Sequence, residues 1–396
     1  MSFSNQLDHL MRGVDTVVPE TELAERLAEG KPLRVKLGLD PTAPSVTLGW
    51  AVVLRKLRHF QELGHTAVLI VGDFTARVGD PSGKSETRKR LSAEEVRGFA
   101  ERLLDQFATV LLPEPLEIRY NSEWLGELDM AEVLELTSKV TVAQMLERDD
   151  FRKRFEGRRP ISVMEFMYPL LQGYDSVAVS ADIELGGADQ LWNLMMGRVL
   201  QERYGHRPQM AMTMPLLIGT DGEQKMSQSL GNYVGVTDDP AEMFGKIMSI
   251  PDRLMPQYFE LATEVAPQEI IFQLEGLESG DVHPGDLKRR LAREIVDLYH
   301  PGQGSPAEAV FDQVFRHSGV PDEIDEFTLD AEADQWIPGV LTAAGLTSSN
   351  GEARRLIAQG AVKLEGEKID AESIGRLDLV GRVLQVGKRR FLRLRE

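Results

Sequence analysis

The strand–helix–strand pattern between Leu33 and Val71 limits what this chain can fold into more than any other feature. Leu33 to Leu39 alternates as a strand does and ends at Asp40-Pro41. Gly49 to Leu63 then places Val52, Val53, Leu57, Phe60 and Leu63 on one helical stripe. Ala67-Val68-Leu69-Ile70-Val71 is a continuous apolar run, the pattern of a strand buried on both faces of a parallel sheet. Strand, helix and strand make a right-handed βαβ unit, so the pattern predicts an α/β fold. Gly72 and Gly79-Asp80-Pro81-Ser82-Gly83 follow as a loop at the carboxyl end of the second strand, the edge where open α/β sheets bind ligands.

At 396 residues the chain is long enough for two or three domains, and 42% hydrophobic residues suffice for a buried core. The absence of cysteine excludes disulfide frameworks, zinc–cysteine sites and thiol catalysis. No run approaches membrane-spanning length, so a soluble, cytoplasmic protein without a membrane partner is expected. Helices are predicted over Glu94 to Leu111, Met130 to Arg148, Val163 to Tyr174, Pro240 to Met248 and Asp286 to Tyr299, with a core strand within Pro208 to Ile218. Residues 321–335 are acidic and poor in large apolar side chains, which predicts a linker. Beyond it, two short helices and strands at Val362 to Leu364, Val383 to Val386 and Phe391 to Leu394 are expected as a separate module. The net charge of −18 argues against a nucleic-acid partner, yet residues 336–396 hold 11 Lys and Arg against 7 Asp and Glu, while the remainder holds 34 against 56. A basic module on an acidic body fits a local polyanion contact, and chance variation in surface charge explains it equally well.

Three segments carry chemistry. The Pro41 to Trp50 stretch joins a strand to a helix. Gly49 lets a nucleotide approach the backbone there, and the helix start offers free N–H groups to phosphate. Lys225 sits after the polar loop Thr220-Asp221-Gly222-Glu223-Gln224, whose composition suits a hinge. It can serve phosphate charge in a transition state or merely be a solvated surface lysine. Tyr168, Gln172 and Asp175, at i, i+4 and i+7, share one helix face beside Phe166, Met167, Leu170 and Leu171. Buried polar groups need partners, so the three converge on one another, on water or on a ligand. Gly186-Gly187-Ala188-Asp189-Gln190 reads as a turn or as a ligand loop, and the seven histidines are scattered without metal-ligand spacing.

Lys225-Met226-Ser227-Gln228-Ser229-Leu230-Gly231-Asn232 is one substitution from KMSKS-LGN, the mobile-loop motif of class I aminoacyl-tRNA synthetases, and Thr47-Leu48-Gly49-Trp50 stands where such enzymes carry HIGH. Together with Lys36 to Thr42, Phe60 to His65, Tyr120 to Trp124, Val142 to Leu146 and Gln172 to Asp175, these segments resemble bacterial tyrosyl-tRNA synthetases over nearly the whole chain. Ala344-Gly345-Leu346 and Ser349 to Arg355 look like an S4-type RNA-binding module.

The resemblance implies a Rossmann-like catalytic domain with a dimerisation insertion over 1–219, a KMSKS-like loop and helical anticodon-binding domain over 220–320, and an S4-like domain over 336–396. It implies a tyrosine–tRNA ligase with tyrosine, ATP and tRNA(Tyr) as partners, working as a homodimer. Magnesium would accompany ATP, and no protein-bound metal or organic cofactor is expected. By family pattern Lys36, Asp80, Tyr168, Gln172, Asp175 and Gln190 would hold tyrosine. Gly38, Asp40, Gly49, Asp189, Lys225, Met226 and Ser227 would hold ATP. Thr42, Thr47, Trp50, Lys225 and Gln228 would act at the phosphates, and Arg354, Arg355 and Lys363 would face RNA. Thr47 and Trp50 replace both HIGH histidines, and Gln228 replaces the second KMSKS lysine. The charge lost at Gln228 is worth roughly 1–3 kcal/mol of transition-state stabilisation where that contact is made. A working ligase is therefore one reading, and a paralogue that binds tyrosine, ATP or RNA without efficient ligation is the other.

Overall fold

The apolar run Thr66–Val71 is buried along nearly its whole length because it lies inside a six-stranded sheet, between two parallel neighbours. The computed structural model describes residues 3–79, 92–315, 324–331, 334–387 and 390–395. Residues up to Pro301 form one compact unit, and those from Gly302 onward form a second.

In the first unit β1 (Thr16–Val18), β2 (Arg34–Leu39), β3 (Thr66–Val71), β4 (Leu116–Tyr120), β5 (Ile183–Gly187) and β6 (Met210–Met214) run in the order β1-β6-β5-β2-β3-β4. All pairings are parallel except β1 with β6. The Leu48–Glu62 helix connects β2 to β3, as its stripe predicted, and buries Leu48, Val52, Leu54, Leu57 and Phe60. Because β2 is flanked by β3 on one side and β5 on the other, its carboxyl end opens at a switch point in the strand order.

The Val163–Ala178 helix packs against the Leu191–Arg203 helix at close range. Gly173 makes this approach possible, since a Cβ there would lie 2.7 Å from Leu200 Cδ1. A Ser162–Glu165 capping box starts the first of these helices. The helix expected over 130–148 is instead two, Met130–Ser138 and Val142–Met145. Thr141 caps the second through its own box with Gln144, which stops the first from continuing.

Of the helices that follow β6, those from Pro240–Met248 to Pro284–Tyr299 fall in the first unit, and Gly304–Phe315 falls in the second. Met255–Ala262 packs on Leu48–Glu62, and Arg55 on the latter pairs with Glu264 at 2.6 Å. The second unit has a core of Ile337, Leu341, Ile357, Val362, Leu384, Leu392 and Leu394. Part of the segment expected as a linker lies inside this unit: Asp325–Thr328 pairs parallel with Arg390–Arg395, and Asp334–Trp336 pairs with Ser373–Gly375. An edge strand satisfies its backbone without large apolar side chains, which is why composition did not announce it. Among the described residues no helix is long and apolar enough to cross a membrane.

Candidate active site

Most of the residues singled out from the sequence line one cavity of about 560 Å³ at the carboxyl ends of β2 and β5. From the strand-to-helix connection come Gly38, Asp40, Thr42, Thr47, Gly49 and Trp50. The Val163–Ala178 helix gives Tyr168, Gln172 and Asp175, the β5 turn gives Asp189 and Gln190, and the following loop gives Lys225, Met226, Ser227 and Gln228. Lys36 does not line the cavity, and Asp80 lies outside the described residues.

The helix face Tyr168–Gln172–Asp175 does not close on itself; each side chain has a different partner. The Tyr168 hydroxyl donates to Asp40 Oδ2 at 2.9 Å, and Thr75 Oγ1 donates to Asp40 Oδ1 at 2.7 Å. Gln172 Nε2 donates to Glu184 at 3.1 Å, and its Oε1 accepts from Asn193 at 3.1 Å. Asp175 accepts from Trp124 Nε1 at 2.8 Å and from Asn121 Nδ2 at 3.2 Å. Burial pushes the Asp175 carboxyl up to about 7, against the opposing pull of the Lys36 charge and of the Trp124 and Asn121 hydrogen bonds.

Lys36, expected at the substrate, sits behind the cavity instead. It is fully buried, and its Nζ donates to Glu184 at 3.0 Å, Ser176 Oγ at 2.7 Å and the Gln172 carbonyl at 2.9 Å. Glu184, equally buried, also accepts from Gln209. This ion pair fixes the backbone and the amide of Gln172 from below, and Asn193 extends the network to Gln190 at 3.0 Å. A dry ion pair of this kind holds only because every polar atom of Lys36 has a partner.

The opposite wall is built by the loop after β6. Asp221 accepts from the backbone of Glu223 and Gln224, and Asn232 clamps the loop by donating to Asp221 at 2.7 Å and accepting from Ser227 N at 2.8 Å. Gly231 supplies the left-handed turn, at φ 68°. Lys225 reaches Asp189 at 2.6 Å, across the cavity mouth. The Gln228 amide donates to the Ser45 carbonyl, so it ties the loop to the strand-to-helix connection. Thr47 caps the Leu48–Glu62 helix, its Oγ1 accepting from Trp50 N at 3.3 Å. Gly38 faces open space, with nothing within 4 Å of where a Cβ would stand.

Sequence reasoning passed over Thr75, Asn121, Trp124, Glu184 and Asn193 as working residues. Asn121 and Trp124 fell within a quoted segment, but only the fold brings them to a carboxylate more than 50 residues away. In the second unit Arg354 is exposed and pairs with Glu372 at 2.7 Å, Arg355 is exposed, and Lys363 is half-buried on a strand. Among the described residues no group of three or more His, Asp or Glu side chains could hold a metal ion.

A switch-point cavity walled by a helix-start glycine and a lysine-bearing loop is the kind of edge at which open α/β sheets bind ligands. Residues 28–315 match the family described as tRNA synthetases class I (W and Y), and the chain belongs to that family. The tyrosine–tRNA ligase of Moorella thermoacetica is 54% identical over 99% of this chain and 96% of its own length. That of Carboxydothermus hydrogenoformans is 52% identical over 98% and 97%. Among solved structures, tyrosyl-tRNA synthetase complexed with L-tyrosine from Archaeoglobus fulgidus superposes with a TM-score of 0.62 at 24% identity, covering 78% of this chain and 99% of that one. A C-terminally truncated mitochondrial tyrosyl-tRNA synthetase of Aspergillus nidulans gives 0.65 at 21%, over 79% and 94%. At these identities the two structures speak for the fold.

Proposed function

We propose that the chain activates tyrosine with ATP and passes it to the 3′ end of tRNA(Tyr), as a tyrosine–tRNA ligase does. The observation that carries this reading is a single cavity joining the Tyr168–Gln172–Asp175 face to Asp40, Gly49 and Lys225. The tyrosine phenol donates to Asp175, whose two oxygens are already oriented by Trp124 and Asn121. Phenylalanine would leave that buried carboxyl group without its partner, which is the basis for rejecting it. Tyr168 and Gln172, with Asp80 from the family pattern, receive the ammonium group. Gln190 lies near the carboxylate.

ATP lies along Gly38, Asp40, Gly49, Asp189, Met226 and Ser227, with its magnesium held by its own phosphates. A tyrosine carboxylate oxygen attacks the α-phosphorus, and the bond to the bridging oxygen breaks, releasing pyrophosphate. No protein nucleophile is needed; the site contributes positioning and charge. Lys225 leaves Asp189 to meet the phosphates, with Thr42, Thr47 and Trp50 alongside and Gln228 holding the loop down. In the second step a terminal ribose hydroxyl of the tRNA attacks the tyrosyl carbonyl and AMP departs. Arg354, Arg355 and Lys363 of the C-terminal unit face the RNA.

A homodimer is supported by apolar side chains left exposed between residues 118 and 163: Ile118, Met130, Leu134, Val142, Phe155 and Val163. A cytoplasmic location is in keeping with the use of tRNA. The alternative of a non-ligating paralogue is not favoured, since its amino-acid pocket would be expected to erode, and among the described residues Tyr168, Gln172, Asp175 and Gln190 all line the cavity here. Exchange of labelled pyrophosphate into ATP tests the reading. Exchange that depends on tyrosine is expected, and none with the purified protein would reject it.

A further inference from the structure

Gln172 and Gln190 both line the ligand cavity. An amide carries an oxygen on one side and a nitrogen on the other, so the way each side chain is turned decides which charge it can meet. Two charged groups outside the cavity settle that turn. Arg148 is buried, donates to the two oxygens of Asp150 at 2.6 Å each, and lies 4.3 Å from the centroid of the Phe151 ring. A guanidinium only donates, so its contact with Asn193, at 3.2 Å, falls on Oδ1. Asn193 therefore turns Nδ2 the other way, donating to Gln172 Oε1 at 3.1 Å and to Gln190 Oε1 at 3.0 Å. At the far end Glu184, paired with Lys36 at 3.0 Å, only accepts, and Gln172 turns Nε2 to it at 3.1 Å. Every N–H along Arg148, Asn193, Gln172 and Glu184 thus points in one direction. Reversing one amide in such a run sets oxygen against oxygen or N–H against N–H.

Gln190 has its oxygen drawn to Asn193, which leaves the nitrogen on the opposite side of the amide. Gln172 has its nitrogen drawn to Glu184, and its oxygen has a second lone pair beyond the one that Asn193 uses. A free amino acid brings a carboxylate, which needs an N–H, and an ammonium group, which needs an oxygen. We propose that Arg148 and Asn193 are positioning residues for the amino-acid substrate, fixing Gln190 with its nitrogen toward the carboxylate and Gln172 with its oxygen toward the ammonium group. Neither residue lines the cavity, so both act through the two glutamines. The proposal rests on the ligase reading of the cavity.

Asn193→Asp keeps an acceptor for Arg148 but removes both donors, which releases Gln190 while Glu184 still holds Gln172. Calorimetric titration of the full chain compares tyrosine with tyramine, which has the phenol and the ammonium group but no carboxylate. The folded variant is expected to bind tyrosine roughly 10–100-fold more weakly than the parent, and tyramine within about threefold. Equal losses for the two ligands, or none for tyrosine, would overturn the proposal, and tyrosine binding by the parent would leave the ligase reading standing. A parent that binds neither ligand would reject both. Crystals of the unmodified chain with tyrosine give a check that needs no variant. Asn193 should keep its contacts with both amides, and Gln190 should reach the carboxylate through the amide atom that does not touch Asn193. A glutamine that leaves Asn193 when tyrosine binds would equally overturn the proposal.

Discussion

Asp175 carries the most specific chemistry of any residue in the site. Its raised pKa of about 7 follows from burial, and an ionised carboxylate accepts a phenol hydrogen bond better than a carboxylic acid does. kcat/KM for tyrosine is therefore expected to rise with pH through about 7 and level off above it, and Asp175→Asn should abolish that step. A flat profile in the unmodified enzyme would contradict the role. The same shift links folding to pH: the contribution of this carboxyl is fully present below its ordinary range and lost as pH rises through about 7. Asp175→Asn should then unfold at higher urea than the parent above neutral pH while losing activity. Behind it, Lys36 and Glu184 form a pair with no exposure at all. Lys36→Met leaves Glu184 charged and unpaired, which should cost about 3–5 kcal/mol in urea unfolding. Glu184→Gln in that background should restore part of the loss, and a cost under about 1 kcal/mol would refute the pairing argument.

Among the elements, the loop after β6 is held by Asp221, Asn232 and Gln228 but leaves Lys225 half-exposed against Asp189. Lys225→Ala should lower the pyrophosphate-exchange rate roughly 10²–10³-fold with little change in KM for tyrosine, because the role proposed for the lysine is on charge that develops in the transition state. An equal loss in tyrosine binding would move Lys225 out of that role. The turn after β3 is equally demanding, since a Cβ on Gly72 would collide with Asp40 Oδ1 and Thr75 Oγ1. Gly72→Ala should displace Asp40 and slow exchange by up to roughly 10²-fold, with urea unfolding showing a folded protein. The β2–helix–β3 core was legible in the sequence because period-2 and period-3.6 patterns lie side by side there. Thr16–Val18 was not, being too short to show a period, and neither was Asp325–Thr328, whose edge position tolerates charge. The Tyr168–Gln172–Asp175 face was legible from helical spacing alone. Its partners Asn121, Trp124 and Asn193 were not, because no local pattern reports contacts between segments far apart in the sequence.

For the whole molecule, the proposed function requires that the residues assigned to tyrosine and those assigned to ATP share one cavity, and the strand order brings both sets to one edge. β2 ends between β3 and β5, so the connection bearing Gly49, the β5 turn bearing Asp189 and the loop bearing Lys225 meet at one edge. The substitutions at Thr47, Trp50 and Gln228 leave that meeting place open: Thr47 caps its helix, and Gln228 anchors the loop. Exposed apolar residues between 118 and 163 should make the protein a dimer by sedimentation, and Leu134→Glu with Val163→Glu should yield folded monomers. A crystal structure with tyrosine and ATP bound tests the central claim most directly. The phenol hydroxyl should lie within hydrogen-bond distance of Asp175, with the tyrosine carboxylate facing the α-phosphate beside Gly49. Tyrosine bound elsewhere, or ATP lodged outside the segment 38–50 and away from Lys225, would contradict the account.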